Sequence, residues 1–192
     1  VYQVGGAALS VLPFTDVEAR DVQAVRYVCE NGLMAGVTET QFAPDQTLTR
    51  GEMTSILWKL AGSPQVAADA AGFVDTAGAD CAGAVAWAAD NGVVSGYGDS
   101  RFGPADPVTR EQMSLMLLRY AQYAGMDTAQ GGMAVREFAD YDQIAGYALE
   151  AMTWVVEAGV LTGTSSDTLA PGQAVTRVQT AQALLALSQI AE

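Results

Sequence analysis

The sequence repeats one unit three times, and this repeat constrains the fold more than any other feature. Each copy opens with a Phe-x-Asp triplet, carries two glycines four residues apart near its middle, and ends with a Pro followed by a Thr-Arg pair. The members are Phe14, Asp16, Gly32, Gly36, Pro44, Thr49 and Arg50; Phe73, Asp75, Gly92, Gly96, Pro104, Thr109 and Arg110; and Phe138, Asp140, Gly159, Gly163, Pro171, Thr176 and Arg177. The step from the second glycine to the arginine is 14 residues in every copy. This regularity predicts three modules with the same local structure.

The copies divide the chain into modules 1, 2 and 3, which we place at residues 14–62, 73–121 and 138–188. Residues 63–72 and 122–137 connect them. The chain has 192 residues, half of them apolar, which is enough to form a substantial core.

Each module is expected to contain two helices. The first ends at the first glycine, where a left-handed residue commonly terminates a helix, and carries an aromatic residue (Tyr27, Trp87 or Trp154) that we expect to face the core. The second begins at a Thr-x-x-Glu/Gln capping box, in which both side chains satisfy backbone N–H groups. These boxes are Thr49 with Glu52, Thr109 with Gln112 and Thr176 with Gln179.

Apolar residues follow each capping box at helical spacing, so the second helices have one buried face. Packing these faces together predicts an all-α fold with a central bundle of three equivalent helices and pseudo-threefold symmetry. The same pattern also permits an open solenoid.

Composition excludes several functions. Nine basic and 22 acidic residues give a net charge of −13, which disfavours nucleic acid and anionic membranes as partners. The absence of histidine excludes chemistry that relies on it. No apolar run approaches the roughly 20 residues of a membrane span, and the opening residues lack the basic segment of a secretory signal, as expected of a mature chain or a fragment.

Cys29 and Cys81 lack zinc-site spacing, and either a disulfide or two buried thiols fits the sequence.

Three of the nine basic residues, Arg50, Arg110 and Arg177, occupy the first position of a second helix, where a cation opposes the helix dipole by roughly 0.3–1 kcal/mol. Two interpretations remain open. Each arginine could pair with a carboxylate, such as Asp45 or Asp106 or one from a neighbouring module. Alternatively, the guanidinium could join free N–H groups of the helix start in an anion site for a carboxylate or phosphate.

The recurring aspartates Asp16, Asp75 and Asp140 also permit more than one role. We favour capping of the turn before the first helix, which is what an aspartate in a short loop usually does. Orienting an arginine of an adjacent module, or accepting hydrogen bonds from sugar hydroxyls, is the alternative.

Taken together, the Phe-x-Asp openings, the helices ending in Asn-Gly, the loop GYGDSRFGP and the helix starts TRGE, TREQ and TRVQ resemble the S-layer homology (SLH) module in its usual run of three. The resemblance implies a three-pronged spindle around a central three-helix bundle, with ligand grooves between the prongs. It further implies noncovalent anchoring to the bacterial cell wall or S-layer through a secondary cell-wall polysaccharide bearing ketal-linked pyruvate, with no cofactor. A cargo domain or S-layer protein would complete the full-length chain.

The resemblance also assigns ligand-binding residues. The family's binding arginine corresponds to Arg50, Arg110 and Arg177, and its glycine-rich loop corresponds to Gly96, Tyr97, Gly98 and Asp99 in module 2. The loops of modules 1 and 3 depart from the pattern, so we expect the groove served by Arg110 to bind best.

Two other functions compete with wall binding. The apolar prongs could form a protein-interaction or self-assembly surface that does not bind glycan. An enzyme is disfavoured because the recurring acidic residues sit at capping positions and no unrepeated catalytic constellation is present.

Overall fold

The computed structural model describes residues 12–66, 72–129 and 132–191, and in these residues the fold is all-α, as the sequence predicts. Six α-helices form three pairs, one per module. They are α1 (Val22–Glu30), α2 (Arg50–Leu60), α3 (Ala82–Asp90), α4 (Arg110–Tyr123), α5 (Leu149–Glu157) and α6 (Arg177–Ile190). Short 3-10 helices at Ala134–Glu137, Tyr141–Gln143 and Gly146–Ala148 precede α5. Residues 67–71 and 130–131 of the two connectors lie outside the described residues.

The predicted helix boundaries are confirmed. All three capping boxes form at the starts of α2, α4 and α6, for example with the Glu52 N–H donating to Thr49 Oγ1 at 3.2 Å and the Thr49 N–H donating to Glu52 Oε2 at 2.8 Å. The glycines after the first helices have φ near +70°, as a left-handed terminator requires. Trp87 and Trp154 are buried as expected, and Tyr27 is half-buried.

The second glycine of each module is required for a different reason. A Cβ atom at Gly36 would collide with the ring of Phe14, and Gly96 and Gly163 stand in the same relation to Phe73 and Phe138. The opening aromatic ring therefore packs directly on backbone, which only glycine allows at this distance.

The helices pack in a cyclic order. The second helix of each module lies against the first helix of the next, so that α2 contacts α3, α4 contacts α5 and α6 returns to contact α1. The contact between α6 and α1 joins the two ends of the chain and excludes the open solenoid. Direct contact between second helices occurs at Thr180 and Met113, whose Oγ1 and Sδ atoms are 3.8 Å apart. The central bundle and three-pronged outline stay predictions.

Backbone hydrogen bonds between the loops close the same ring. Leu48 donates its N–H to the carbonyl of Val175, Val175 donates to Val108, and Val108 donates to Leu48, at 2.9–3.0 Å. The buried apolar residues of all three modules belong to one continuous core. The modules therefore fold as one unit, because each completes its hydrogen bonds and its core only with its neighbours.

The three aspartates hold these loops in place and do not cap the first helices. Each carboxylate accepts hydrogen bonds from two consecutive N–H groups of the loop before the second helix. For Asp16 the donors are Phe42 and Ala43, at 2.9 and 2.8 Å. The favoured capping role is wrong because these carboxylates bond the loop before the second helix, and the first helices have no side-chain cap hydrogen bond.

The three arginines bind the same loops from the neighbouring module. Arg50 donates from Nε to Phe102 O and from Nη2 to Ser95 O, both at 3.0 Å. Arg110 reaches Leu169 O and Thr162 O in the same way, and Arg177 reaches Phe42 O and Ala35 O. No carboxylate of a described residue forms an ion pair with these arginines, so the ion-pair interpretation is wrong.

Aspartate and arginine meet through a shared peptide unit. The peptide between Phe42 and Ala43 donates its N–H to Asp16 Oδ2 and accepts Arg177 Nε at its carbonyl, at 2.8 Å on each side. The anion and the cation polarise the peptide in the same direction, which strengthens both hydrogen bonds. We call this arrangement the Asp–peptide–Arg bridge, and each of the three loops contains one.

The first prediction concerns the aspartate side of the bridge. Burial alone would raise the pKa of Asp75, but hydrogen bonds from Phe102 and Gly103 outweigh it and lower the pKa below its usual value. Because the pKa is lower in the folded state, this carboxylate stabilises the fold above about pH 4 and loses that contribution as pH falls through the folded value. Asp75→Asn should therefore lower the free energy of unfolding at neutral pH by roughly 1.5–3 kcal/mol in urea titrations. If Asp75→Asn lowered the free energy of unfolding by the same amount at pH 3 (roughly one unit below the unfolded pKa), this explanation would be contradicted.

The second prediction concerns the arginine side. Arg110 is 2% exposed, and replacing it leaves the carbonyls of Leu169 and Thr162 without their donor. Arg110→Met should lower the free energy of unfolding by roughly 2–4 kcal/mol. Arg101→Met removes the same charge from an exposed pair with Asp99 and should change stability little. Equal losses in the two variants would show that charge, not the bridge, is responsible.

Candidate functional site

The helix starts that the sequence offered as anion sites are already occupied. At α2, the N–H of Arg50 donates to Asp106 O at 2.9 Å, the N–H of Gly51 donates to Pro104 O at 3.0 Å, and Glu52 donates to the capping threonine. The first two N–H groups of α4 and of α6 donate to backbone carbonyls in the same way. The acceptors are Gln173 and Pro171 for α4, and Gln46 and Pro44 for α6. An anion site built on free N–H groups is therefore wrong, since the next module's loop fills that position.

Two inter-module grooves nevertheless present guanidinium groups to solvent-accessible space. We number each groove by the module whose loop forms it. Groove 1, of about 540 Å³, contains Ala35 and Lys59 of module 1, Asp80 and Cys81 of module 2, and Arg177 of module 3. Groove 2, of about 390 Å³, contains Arg50 of module 1, Ser95, Tyr97 and Arg119 of module 2, and Tyr147 of module 3. Each groove thus takes residues from all three modules.

Groove 2 concentrates positive charge. Arg50 Nη2 donates to the carbonyl of Ser95 and Arg119 Nη1 donates to its hydroxyl, both at 3.0 Å, so the two guanidinium groups converge on one residue. No carboxylate is among the residues that line this groove. Two cations in a lining without a carboxylate create a local attraction for an anion within a chain whose net charge is −13.

Groove 1 has a different balance of charge. Arg177 and Lys59 are accompanied there by the carboxylates of Glu52 and Asp80. The thiol of Cys81 also lines it, and burial raises the pKa of this thiol. Cys29 and Cys81 are both free thiols, which decides between the two states that the sequence allowed.

Aromatic residues distinguish groove 2 further. The guanidinium of Arg50 lies 4.6 Å from the ring centre of Phe102, as that of Arg177 does from Phe42. It also lies 4.8 Å from the ring centre of Tyr97, where module 1 has Val37. Tyr97 and Tyr147 donate their hydroxyls to Asp106 and Glu111, at 3.0 and 2.9 Å. Burial and the hydrogen bond to Glu111 raise the pKa of Tyr147 to about 12. Both tyrosines are therefore neutral near neutral pH, and their rings are held in place at the polar end.

The loop of module 3 lacks both the second cation and the loop tyrosine of groove 2. Arg110 reaches it, but burial lowers the pKa of this guanidinium and Asp140 only partly offsets that effect. The position that holds Lys59 in α2 and Arg119 in α4 is Ala186 in α6. At the start of α1, which packs against α6, Asp21 accepts a hydrogen bond from the side chain of Gln182 at 2.6 Å.

The residues proposed from sequence fall into three groups. Gly96 and Tyr97 line groove 2, where they meet Arg50 of the preceding module and not Arg110 of their own. Asp99 pairs with Arg101 at an exposed position, and Gly98 is a turn residue with φ of +90°, so neither belongs to the groove lining. Asp16, Asp75 and Asp140 act on the arginines through the bridges.

Sequence reasoning missed Arg119, Ser95 and Tyr147. Arg119 follows Arg110 by nine residues, as Lys59 follows Arg50, and this shared spacing was a signal for a second cation. Tyr147 lies outside the repeated motif and carried no such signal.

The described residues contain no group of side chains suited to hold a metal ion. Within them, no helix is long and apolar enough to cross a membrane.

Comparison with known proteins identifies the repeat. The model of the S-layer homology domain matches residues 13–54, 72–114 and 137–181, which is more than half of the chain. Similar proteins include an exoglucanase XynX of Acetivibrio thermocellus (26% identical, covering 95% of this chain and 17% of the relative) and an S-layer protein of Bacillus thuringiensis subsp. finitimus (26%, 88% and 20%). An amylopullulanase of Thermoanaerobacterium thermosulfurigenes is 25% identical over 91% of this chain and 9% of its own length.

The chain therefore spans a fifth or less of each of these relatives. The matched segments overlap the three modules and include the loops, capping boxes and arginines that form the ring described above. The chain belongs to the S-layer homology family, of which it contains three tandem domains.

Proposed function

We propose that this chain anchors a longer protein to the bacterial cell surface by binding an anionic wall polysaccharide in its inter-module grooves, with a ketal-linked pyruvate carboxylate as the recognised group. Membership in the S-layer homology family supports cell-surface anchoring. The location would be the cell wall or the S-layer outside the cell. The cargo would be the part of the longer protein that this chain does not include.

The observation that carries this proposal is the pair of guanidinium groups in groove 2. Arg50 and Arg119 meet at Ser95, and none of the residues lining the groove supplies a carboxylate to neutralise them. A guanidinium suits a carboxylate because its planar N–H groups can donate two parallel, charge-assisted hydrogen bonds.

The net charge of −13 does not oppose such binding at close range. Screening at physiological ionic strength limits the repulsion between exposed charges to roughly 8 Å, whereas a carboxylate in groove 2 would lie against the two arginines. Individual grooves would bind weakly, and a polymer that repeats its charged sugar could gain avidity by engaging more than one of them.

The names of the relatives agree with an anchoring segment shared among different proteins. One relative is an S-layer protein and two are named for glycan-degrading activities, yet all match this chain over a small part of their own length. The similarity therefore transfers no catalytic activity to this chain. A protein-interaction or self-assembly module without glycan binding remains the competing function, and the experiment below separates the two.

The third prediction tests wall binding through Arg119, which takes no part in the bridges. Wild type should pellet with cell-wall sacculi of the source organism and stay soluble with sacculi from which the wall polysaccharide has been extracted by acid. Arg119→Ala should weaken pelleting by at least roughly tenfold, since a charge-assisted hydrogen bond contributes about 1.5–3 kcal/mol.

Arg101→Ala removes the same charge from an exposed site outside the grooves and serves as the matched control, with binding expected to match wild type. Pelleting that persists on extracted walls, or that is unchanged in Arg119→Ala, would favour the protein-interaction function instead.

A further inference from the structure

We propose that Tyr97 and Tyr147 hold the ring of a carboxylate-bearing sugar beside Arg50 and Arg119, which makes groove 2 the dominant site of the three. This inference rests on the proposed function and assigns it to one groove. It makes Tyr147, which belongs to module 3 and to no repeated motif, a specificity-determining residue.

The three modules differ at the positions of these two tyrosines. The place of Tyr97 in the loop is taken by Val37 in module 1 and by Thr164 in module 3. The place of Tyr147, two residues before the first helix of a module, is taken by Asp80 in groove 1 and by Arg20 at the module 3 loop. Groove 2 alone therefore combines two aromatic residues at these positions.

Both tyrosine rings are exposed but fixed. Tyr147 is 55% exposed and Tyr97 is 47% exposed, so each presents an apolar face to a ligand. The hydrogen bonds to Glu111 and Asp106 anchor the hydroxyl ends of the two rings. Binding to an aromatic surface that is already oriented costs little further conformational entropy, and sugar rings present C–H faces that pack on such surfaces.

The backbone of module 2 makes room for Tyr97. A Cβ atom at Gly103 would collide with the Tyr97 ring and the Asp106 carboxylate. The equivalent positions in the other loops are Ala43 and Ala170, which adopt the same left-handed conformation despite their side chains. Module 2 thus has glycine where its neighbours have alanine, and this glycine provides the space for the tyrosine and its carboxylate partner.

The ring of Tyr97 lies close to a guanidinium group. The Arg50 guanidinium lies 4.8 Å from the centre of the Tyr97 ring, and its charge also acts on Tyr147. A ketal carboxylate is attached directly to the sugar framework. A sugar ring packed on Tyr97 would therefore place its carboxylate next to Arg50, whose guanidinium meets that of Arg119 at Ser95.

Groove 1 is unsuited to the same ligand. Asp80 replaces the second tyrosine and Glu52 occupies the position of Gln112, so two carboxylates line groove 1 itself. The carboxylates next to groove 2, Asp106 and Glu111, lie outside its lining and each accepts a hydrogen bond from a tyrosine hydroxyl. Like-charge juxtaposition selects against a ligand as effectively as attraction selects for one.

The fourth prediction follows, with a methyl glycoside bearing a pyruvate ketal as the probe and its ketal-free parent as the ligand control. In titrations followed by calorimetry and by backbone NMR shifts, wild type should bind the ketal glycoside in preference to the parent. The shifts should be concentrated at Ser95, Gly96 and Arg119. Tyr147→Ala should weaken binding roughly five- to tenfold. Tyr147→Phe, which keeps the ring but loses the hydrogen bond to Glu111, should weaken it by only about two- to threefold.

Arg20→Ala changes the equivalent exposed position at the module 3 loop and should leave binding unchanged. Unaltered binding in Tyr147→Ala, or shifts centred on Ala35 and Lys59 of groove 1, would overturn the assignment to groove 2. If wild type pellets with sacculi but ignores the ketal glycoside, this inference fails while wall binding stands. If it does neither, the proposed function fails as well.

Discussion

One peptide unit in each loop, held at its N–H by an aspartate and at its carbonyl by an arginine of the preceding module, connects the three modules of this chain. The bridge from Asp16 through Phe42 and Ala43 to Arg177 joins the first module to the last. An aspartate and an arginine in direct contact would satisfy only each other. With a peptide between them, the same two charges fix a loop, the start of a helix and an inter-module interface at once.

This arrangement explains why an arginine occupies a position that the helix dipole disfavours. The N–H groups of the helix start are satisfied by carbonyls of the adjoining loop, so the arginine lies among oxygen atoms and not at a bare positive end. It also means that Arg50 serves both the fold and the groove. Loss of binding in an Arg50 variant would therefore be ambiguous, whereas Arg119 and Tyr147 lie outside the bridges and report on the groove alone.

The fold was largely predictable because its signals are local and repeated. Capping boxes, terminating glycines and a constant spacing appear three times, and each is a short-range consequence of backbone hydrogen bonding. The partners of Asp75 and Arg110 were not predictable, because they depend on which module follows which around the ring. Sequence order suggested that Arg110 serves the GYGDS loop of its own module. The cyclic offset brings Arg50 there instead. Tyr147 enters groove 2 by the same offset, from a segment that no motif marks.

The central claim is that the bridges close the ring, and a double-mutant cycle between Asp16→Asn and Arg177→Met tests it most directly, since these residues lie in the first and last modules. The free energy of unfolding would be measured in urea for wild type, both single variants and the double variant. If the bridge couples them, the double variant should be more stable than the sum of the single losses implies, by about 1 kcal/mol or more. Losses that add to within about 0.5 kcal/mol would mean that the two residues act independently, which contradicts a ring closed through this peptide.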